Sequence, residues 1–139
     1  MTGIILSGGG ARGFAHVGVL KALAEMDIKP GMISGVSAGA VIGAYYAAGF
    51  KLEDIVDIVS RTKLFRLLDF NFRKPGSLFT TDAVKESLEK HLDGLTFSNL
   101  EIPLTVVATD LQNGQSHYIS EGNLVQAVLA SSAIPVMYQ

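Results

Sequence analysis

The sequence contains no cysteine and no tryptophan, and only four of its 139 residues are proline. Without cysteine there is no disulfide staple, no Cys-based zinc site and no thiol nucleophile, although the absence does not by itself fix a compartment. Charge is also sparse. Charged residues make up 17% of the chain, the formal net charge is −2, and no basic block stands out, so nucleic acid is not expected as a partner. No apolar run reaches the roughly 18 residues of a membrane span. Met1 to Ser7 is too short for a signal peptide and lacks a basic flank. There is no internal repeat and no linker. These absences lead us to expect a cytoplasmic protein, with peripheral contact to a membrane left open. What the chain has instead is apolar residues, 48% of the total, and fifteen glycines, enough for one domain with a real core.

The glycines divide the apolar runs. Gly3-Ile4-Ile5-Leu6-Ser7 reads as a buried strand, broken by Gly8-Gly9-Gly10. From Gly13 to Met26, apolar residues at Phe14, Val17, Leu20, Leu23 and Met26 keep helical spacing, and Pro30 prevents continuation. Met32 to Val36 reads as a second strand, Ala38 to Ala48 as a helix closed by Gly49, and Leu52 to Val59 as an amphipathic helix. Thr80 or Thr81 can cap a further helix to about Leu92, with Lys85, Glu86, Glu89 and Lys90 on its wet side. Pro103 to Thr109 reads as a third strand, Asn113-Gly114 as a turn, Ser116 to Ile119 as the returning strand and Asn123 to Ser131 as a helix capped by Asn123. Strands alternating with helices predict an α/β fold with a mainly parallel sheet covered on both faces.

Two glycine-rich turns carry the chemistry. Gly35-Val36-Ser37-Ala38-Gly39 joins a strand to a buried helix and has the form of a nucleophile elbow. Gly35 and Gly39 remove Cβ atoms that would collide at the bend, leaving the Ser37 hydroxyl exposed near the amides that open the next helix. Gly8-Gly9-Gly10-Ala11-Arg12-Gly13 also links a strand to a helix. Formally it matches the dinucleotide fingerprint, but the second strand ends in Ser37 rather than an acid, and Asp27 lies at that strand's wrong end. No Gly-Lys-Ser/Thr follows, so it is not a phosphate-binding Walker loop. Read as an oxyanion hole, its unobstructed amides stabilise charge on a reacting carbonyl oxygen, one such donor lowering the barrier by about 3–4 kcal/mol in a known hydrolase. If the two strands are neighbours, loop and serine share one crevice. The plain alternative is a tight turn that binds nothing. Arg12 can orient the loop or meet an anionic head group, or be a solvated side chain in the first helical turn.

A serine needs a base. His16 falls about one turn away from the loop mouth and reads as a core or packing residue. His91 reads as solvated on a charged helix, and His117 as exposed on the return strand. None completes a Ser-His-Asp arrangement, which brings a Ser-Asp dyad into consideration. Asp110 ends the third strand and could reach the crevice, but reads better as the residue capping the reversal at Asn113-Gly114. Asp93, before Gly94, reads as a turn.

Taken in order, the Gly8–Gly13 loop, the Gly35–Gly39 elbow, the strand end Ala108-Thr109-Asp110-Leu111 and Ala130-Ser131-Ser132-Ala133-Ile134-Pro135 resemble the patatin-like phospholipases, over essentially the whole chain. The resemblance implies a three-layer α/β/α sandwich and hydrolysis of acyl esters of lipids by a Ser-Asp dyad, with no metal or other cofactor. It also implies Ser37 as nucleophile and Gly8, Gly9 and Gly10 as oxyanion donors, with Arg12 and Gly13 as loop residues that orient it or meet an anion. In the family the dyad aspartate lies in Asp-Gly-Gly or Asp-Gly-Ala, beyond the Ser-Ser-Ala-x-Pro segment, and neither motif occurs here. We therefore expect a single, incomplete hydrolase domain, weak or inactive on its own. The competing expectation is a non-catalytic nucleotide- or acyl-binding domain using the same loop.

One further segment stands out. Between Arg61 and Phe79, large apolar residues (Leu64, Phe65, Leu67, Leu68, Phe70, Phe72, Leu78) interleave with Lys63, Arg66, Arg73 and Lys74. Such a stretch suits a peripheral lipid contact, with rings among acyl chains and cations near phosphates. It equally suits a core-packing helix whose cations extend to water.

Overall fold

The computed structural model describes residues 1–61 and 79–133, the side chains of residues 79–83 excepted. The described residues form four strands, β1 (Gly3–Leu6), β2 (Met32–Val36), β3 (Leu104–Thr109) and β4 (Ser116–Ile119). The helices are α1 (Phe14–Glu25), α2 (Ala38–Ala47), α3 (Leu52–Arg61), α4 (Phe79–Leu92) and α5 (Leu124–Ser132). The strands form one sheet in the order β1-β2-β3-β4. The first three are parallel, with Leu6 opposite Gly35 and Val36 opposite Val107, and β4 returns antiparallel along β3. This is the mainly parallel α/β arrangement that the strand–helix alternation predicts.

The strand order advances without reversal, and crossovers of one hand then place their helices on one side. Leu6, Ile33, Leu104 and Val106 point to that side and are buried. Helix α2 lies against all three parallel strands and α5 against β3. The opposite face carries Ile5, Met32, Val36 and Tyr118, with Ile5 81% and Tyr118 69% exposed. The described helices thus supply one outer layer, and this second face is the one a third layer would cover.

Helix α2 is buried all round except at Tyr46, which explains its unbroken apolar composition. Its small residues let it sit close to the sheet. A Cβ on Gly43 would lie 3.3 Å from both Ile33 Cγ2 and Leu104 Cδ1. Gly49 ends it at φ 90°, where the amide of Phe50 bonds the Tyr45 carbonyl and that of Gly49 the Tyr46 carbonyl. Helix α3 is amphipathic as expected, burying Ile55 and Val59. Asn123 caps α5 as expected, its side-chain oxygen accepting from the amide of Gln126.

Several local expectations change. Gly3–Leu6 is not a buried strand: it lies at the sheet edge with only Leu6 buried, and Ile5 is exposed because the described helices cover one face of the sheet and not both. The first helix begins as a 3-10 turn, Gly10–Gly13, and its apolar stripe is only partly buried: Val17 and Leu20 are covered, while Phe14 and Met26 are exposed. Its end is set before Pro30, by Asp27 at φ 57°, where the amide of Ile28 returns to the Leu23 carbonyl. Helix α4 starts at Phe79, so Thr80 and Thr81 fall inside its first turn rather than capping it. His91 is not solvated. It is half-buried, donates through Nδ1 to the Ser87 carbonyl at 2.8 Å, and packs edge-on against Tyr45 and Phe50.

Candidate active site

Ser37 stands between β2 and α2 with no intervening loop. Its backbone is at φ 51°, ψ −117°, a conformation that costs a non-glycine residue of order 1–3 kcal/mol and persists only where surrounding contacts enforce it. The two flanking glycines show that enforcement. A Cβ on Gly39 would overlap the Leu6 carbonyl oxygen and stand 2.7 Å from the Ser7 carbonyl oxygen. A Cβ on Gly35 would lie 2.7 Å from the Gly39 carbonyl oxygen and 2.8 Å from Ala40 N and Cα. Strand and helix are therefore pressed together as closely as bare backbone allows. Ala38 and Gly39 open α2, and their amides belong to the first turn, which lacks intrahelical acceptors.

The glycine loop arrives beside this elbow because β1 and β2 are neighbours. A Cβ on Gly8 would lie 3.4 Å from Ser37 Cβ and 3.6 Å from the Val36 carbonyl oxygen. The loop then turns through Gly10 at φ 57° and closes with the amide of Arg12 on the Gly9 carbonyl. Among the described residues, the amides of Gly8, Gly9 and Gly10 donate to no other group. Gly8 and Gly9 are exposed, Gly13 is buried, and Arg12 projects into solvent. The structure thus brings Gly8 against Ser37 at adjacent strand ends, with Gly35 and Gly39 packed into the bend and exposed Arg12 following in the loop.

Two residues that sequence reasoning left out of the site hold it in place. His16 is neither a base nor a core residue here: its Nε2 donates to the Ser7 carbonyl at 2.7 Å. In a trans peptide the next N–H points opposite to that carbonyl, so the contact turns the Gly8 amide away from α1. Ser131 accepts from the Ser37 amide at 2.8 Å and donates to the Val107 carbonyl at 2.6 Å. His16 lies nine residues from Ser7 and Ser131 ninety-four from Ser37, so no local pattern announces either contact.

No described carboxylate serves Ser37. Asp110 does what its turn reading predicts, with Oδ1 accepting from the Gln112 amide and Oδ2 from Asn113 Nδ2. Asp93 is exposed after α4, and His117 is exposed on β4. Of the interleaved basic and apolar segment, residues 62–78 lie outside the described residues. Arg61, at the end of α3, pairs with Asp57 at 3.0 Å.

A parallel sheet with a strained serine turn at one strand end and a glycine loop at the end of the adjacent strand defines an α/β protein. The chain belongs to the patatin-like phospholipase family, whose model matches residues 4–139. An uncharacterized NTE family protein of Mycobacterium tuberculosis (strain ATCC 25618 / H37Rv) is 38% identical over 136 residues, which is 95% of this chain and 37% of that protein. Neuropathy target esterase sws of Drosophila melanogaster is 30% identical over 138 residues, covering 95% of this chain and 10% of its own length. The chain therefore spans little more than a third of the mycobacterial relative and a tenth of the fly one. Among solved structures, VipD from Legionella pneumophila superposes with a TM-score of 0.64 at 19% identity, over 99% of this chain and 43% of VipD. The type III effector protein ExoU gives 0.61 at 20% identity, over 94% and 40%. At those identities the likeness is one of fold.

Proposed function

We propose that the chain is the nucleophile-bearing part of a serine-dependent acyl hydrolase acting on lipid esters. The observation that carries this reading is the meeting of Gly8 with Ser37 at adjacent strand ends, with the serine held at positive φ. Ser37 Oγ attacks the ester carbonyl carbon while its proton passes to a base. The developing oxyanion is received by amides of Gly8–Gly10 and by Ala38, the residue after the nucleophile. Ser37's own amide is committed to Ser131 and takes no part. The proton goes on to the departing alcohol oxygen, and water then releases the acyl group from Ser37. The base is an aspartate of the family's Asp-Gly-Gly or Asp-Gly-Ala motif, which these 139 residues do not contain, so their ester turnover is weak. Arg12, exposed beside the loop, suits an anionic head group.

A fluorophosphonate probe tests the nucleophile, because its phosphorus takes the place of the carbonyl carbon. Because fluoride leaves without being protonated, we expect slow modification at Ser37 alone even without the base, lost in Ser37→Ala, with little ester turnover. A folded chain that leaves the probe unreacted would remove the hydrolase reading, and nucleotide-dependent thermal stabilisation of that chain would favour the binding-domain alternative. The membrane contact through Arg61–Phe79 rests on sequence alone. Liposome binding indifferent to Phe70→Ser with Phe72→Ser would remove it.

A further inference from the structure

The two hydrogen bonds of Ser131 have a position in the sheet that gives them meaning. In a parallel ladder the amides of one strand that donate to the same neighbour recur every second residue. The amide of Ile33 donates to the Pro103 carbonyl at 2.9 Å. With Ile33 opposite Leu104 and Val36 opposite Val107, the same phase next pairs the amide of Gly35 with Thr105 and then that of Ser37 with Val107. That last rung is not direct. The Ser131 hydroxyl occupies it, accepting the Ser37 N–H at 2.8 Å and handing its own proton to the Val107 carbonyl at 2.6 Å.

The geometry points to Ser131 as a positioning residue that substitutes for the last rung between β2 and β3 and so holds the elbow open. A direct rung would keep Ser37 extended in the ladder and in line with β2. Inserting one oxygen separates the strands at that point, lets the chain swing into α2, and still leaves neither backbone group orphaned. A hydroxyl suits the place because it is both donor and acceptor, and each bond polarises the other. Ser131 lies on α5, which packs on β3 and beside α2, so its oxygen is delivered by a rigid element. The positive φ of Ser37 is then maintained from two sides, by the Gly35–Gly39 packing behind it and by Ser131 across from it.

This inference rests on Ser37 being the nucleophile, so the test has one readout that needs reactivity and one that does not. Backbone carbon and nitrogen chemical shifts of Ser37 follow its φ and ψ, and the fluorophosphonate rate constant, corrected for folded fraction, follows its orientation. In Ser131→Ala the Ser37 shifts should leave their positive-φ values while those of Ala40–Ala47 stay put. Labelling should slow by about tenfold to a hundredfold, the range expected when a reacting atom is displaced by around 1 Å. Ser131→Thr, which keeps the hydroxyl, should restore both. Ser37 shifts and labelling unchanged in folded Ser131→Ala would overturn the assignment, as would a loss of both that Ser131→Thr fails to rescue. If the parent chain does not label at all, the hydrolase reading fails, and the Ser37 shifts alone decide whether Ser131 holds the elbow.

Discussion

The two strand-to-helix turns at this end of the sheet are both rich in glycine, yet they use it for opposite ends. In the β2–α2 turn glycine permits contact: the sites where Cβ atoms of Gly35 and Gly39 would lie are filled by neighbouring backbone. In the β1–α1 turn glycine preserves openness. A Cβ on Gly9 would meet only Arg12 Cβ at 3.5 Å, and Gly8 and Gly9 are exposed. One turn is rigid because it is crowded, and it presents a side chain. The other is held mainly by His16 and the closure at Arg12, and it presents backbone. In the proposed reaction this division is useful: a nucleophile must stay put under strain, whereas an oxyanion site must stay empty until charge arrives.

This contrast predicts that substitutions at the elbow cost stability and substitutions at the loop cost reactivity. The largest effect should come from Gly39→Ala, whose methyl would overlap the Leu6 carbonyl on a buried backbone. We expect a loss of more than about 3 kcal/mol, or failure to fold, in chemical denaturation. Gly8→Ala is its counterpart. The methyl finds ordinary contact distances, so stability should change by under about 0.5 kcal/mol, while labelling of Ser37 slows because the methyl enters the crevice. Equal stability losses for the two variants would dissolve the distinction.

The crowded side extends along α2 to Tyr45, whose buried hydroxyl bonds both the carbonyl and the Oγ of Ser87 at 3.1 Å. Tyr45→Phe should lower stability by about 1 kcal/mol. Burial raises the Tyr45 phenol above its ordinary 10.0, with the Ser87 bond opposing the shift. The unfolded phenol then ionises first, so the tyrosine's contribution is complete below pH 10 and is lost as pH rises towards the folded-state value. Denaturation curves for Tyr45→Phe should accordingly fall less steeply than the parent's above pH 10. The smallest change in stability is expected on the open side. His16→Leu frees a carbonyl that water can reach, so the melting temperature should hardly move, yet labelling should slow several-fold as the Gly8 amide loses its orientation.

Much of this was legible in the chain. Met32–Val36 as a strand, Ser37 as the residue at the bend and Asn123 as a helix cap all follow from spacing and side-chain chemistry within a few residues. The same holds for Asp110, whose short carboxylate belongs to its own turn. His91 reads as solvated from sequence because its helix carries Lys85, Glu86, Glu89 and Lys90. Only the approach of Tyr45 and Phe50, from more than forty residues earlier, takes it out of water.

Local order and turn chemistry therefore determined which residues could act: a serine that must turn, glycines that must stay bare, and a helix too apolar to be exposed. The tertiary structure alone decided that β1 and β2 lie side by side, that His16 turns the loop's first peptide, and that Ser131 stands in the last rung of the sheet. Those contacts depend on the order of strands and the seating of α5 on β3. Pairing across a sheet is set by which surfaces are buried together, information that is spread over the whole chain and written in no single stretch of it.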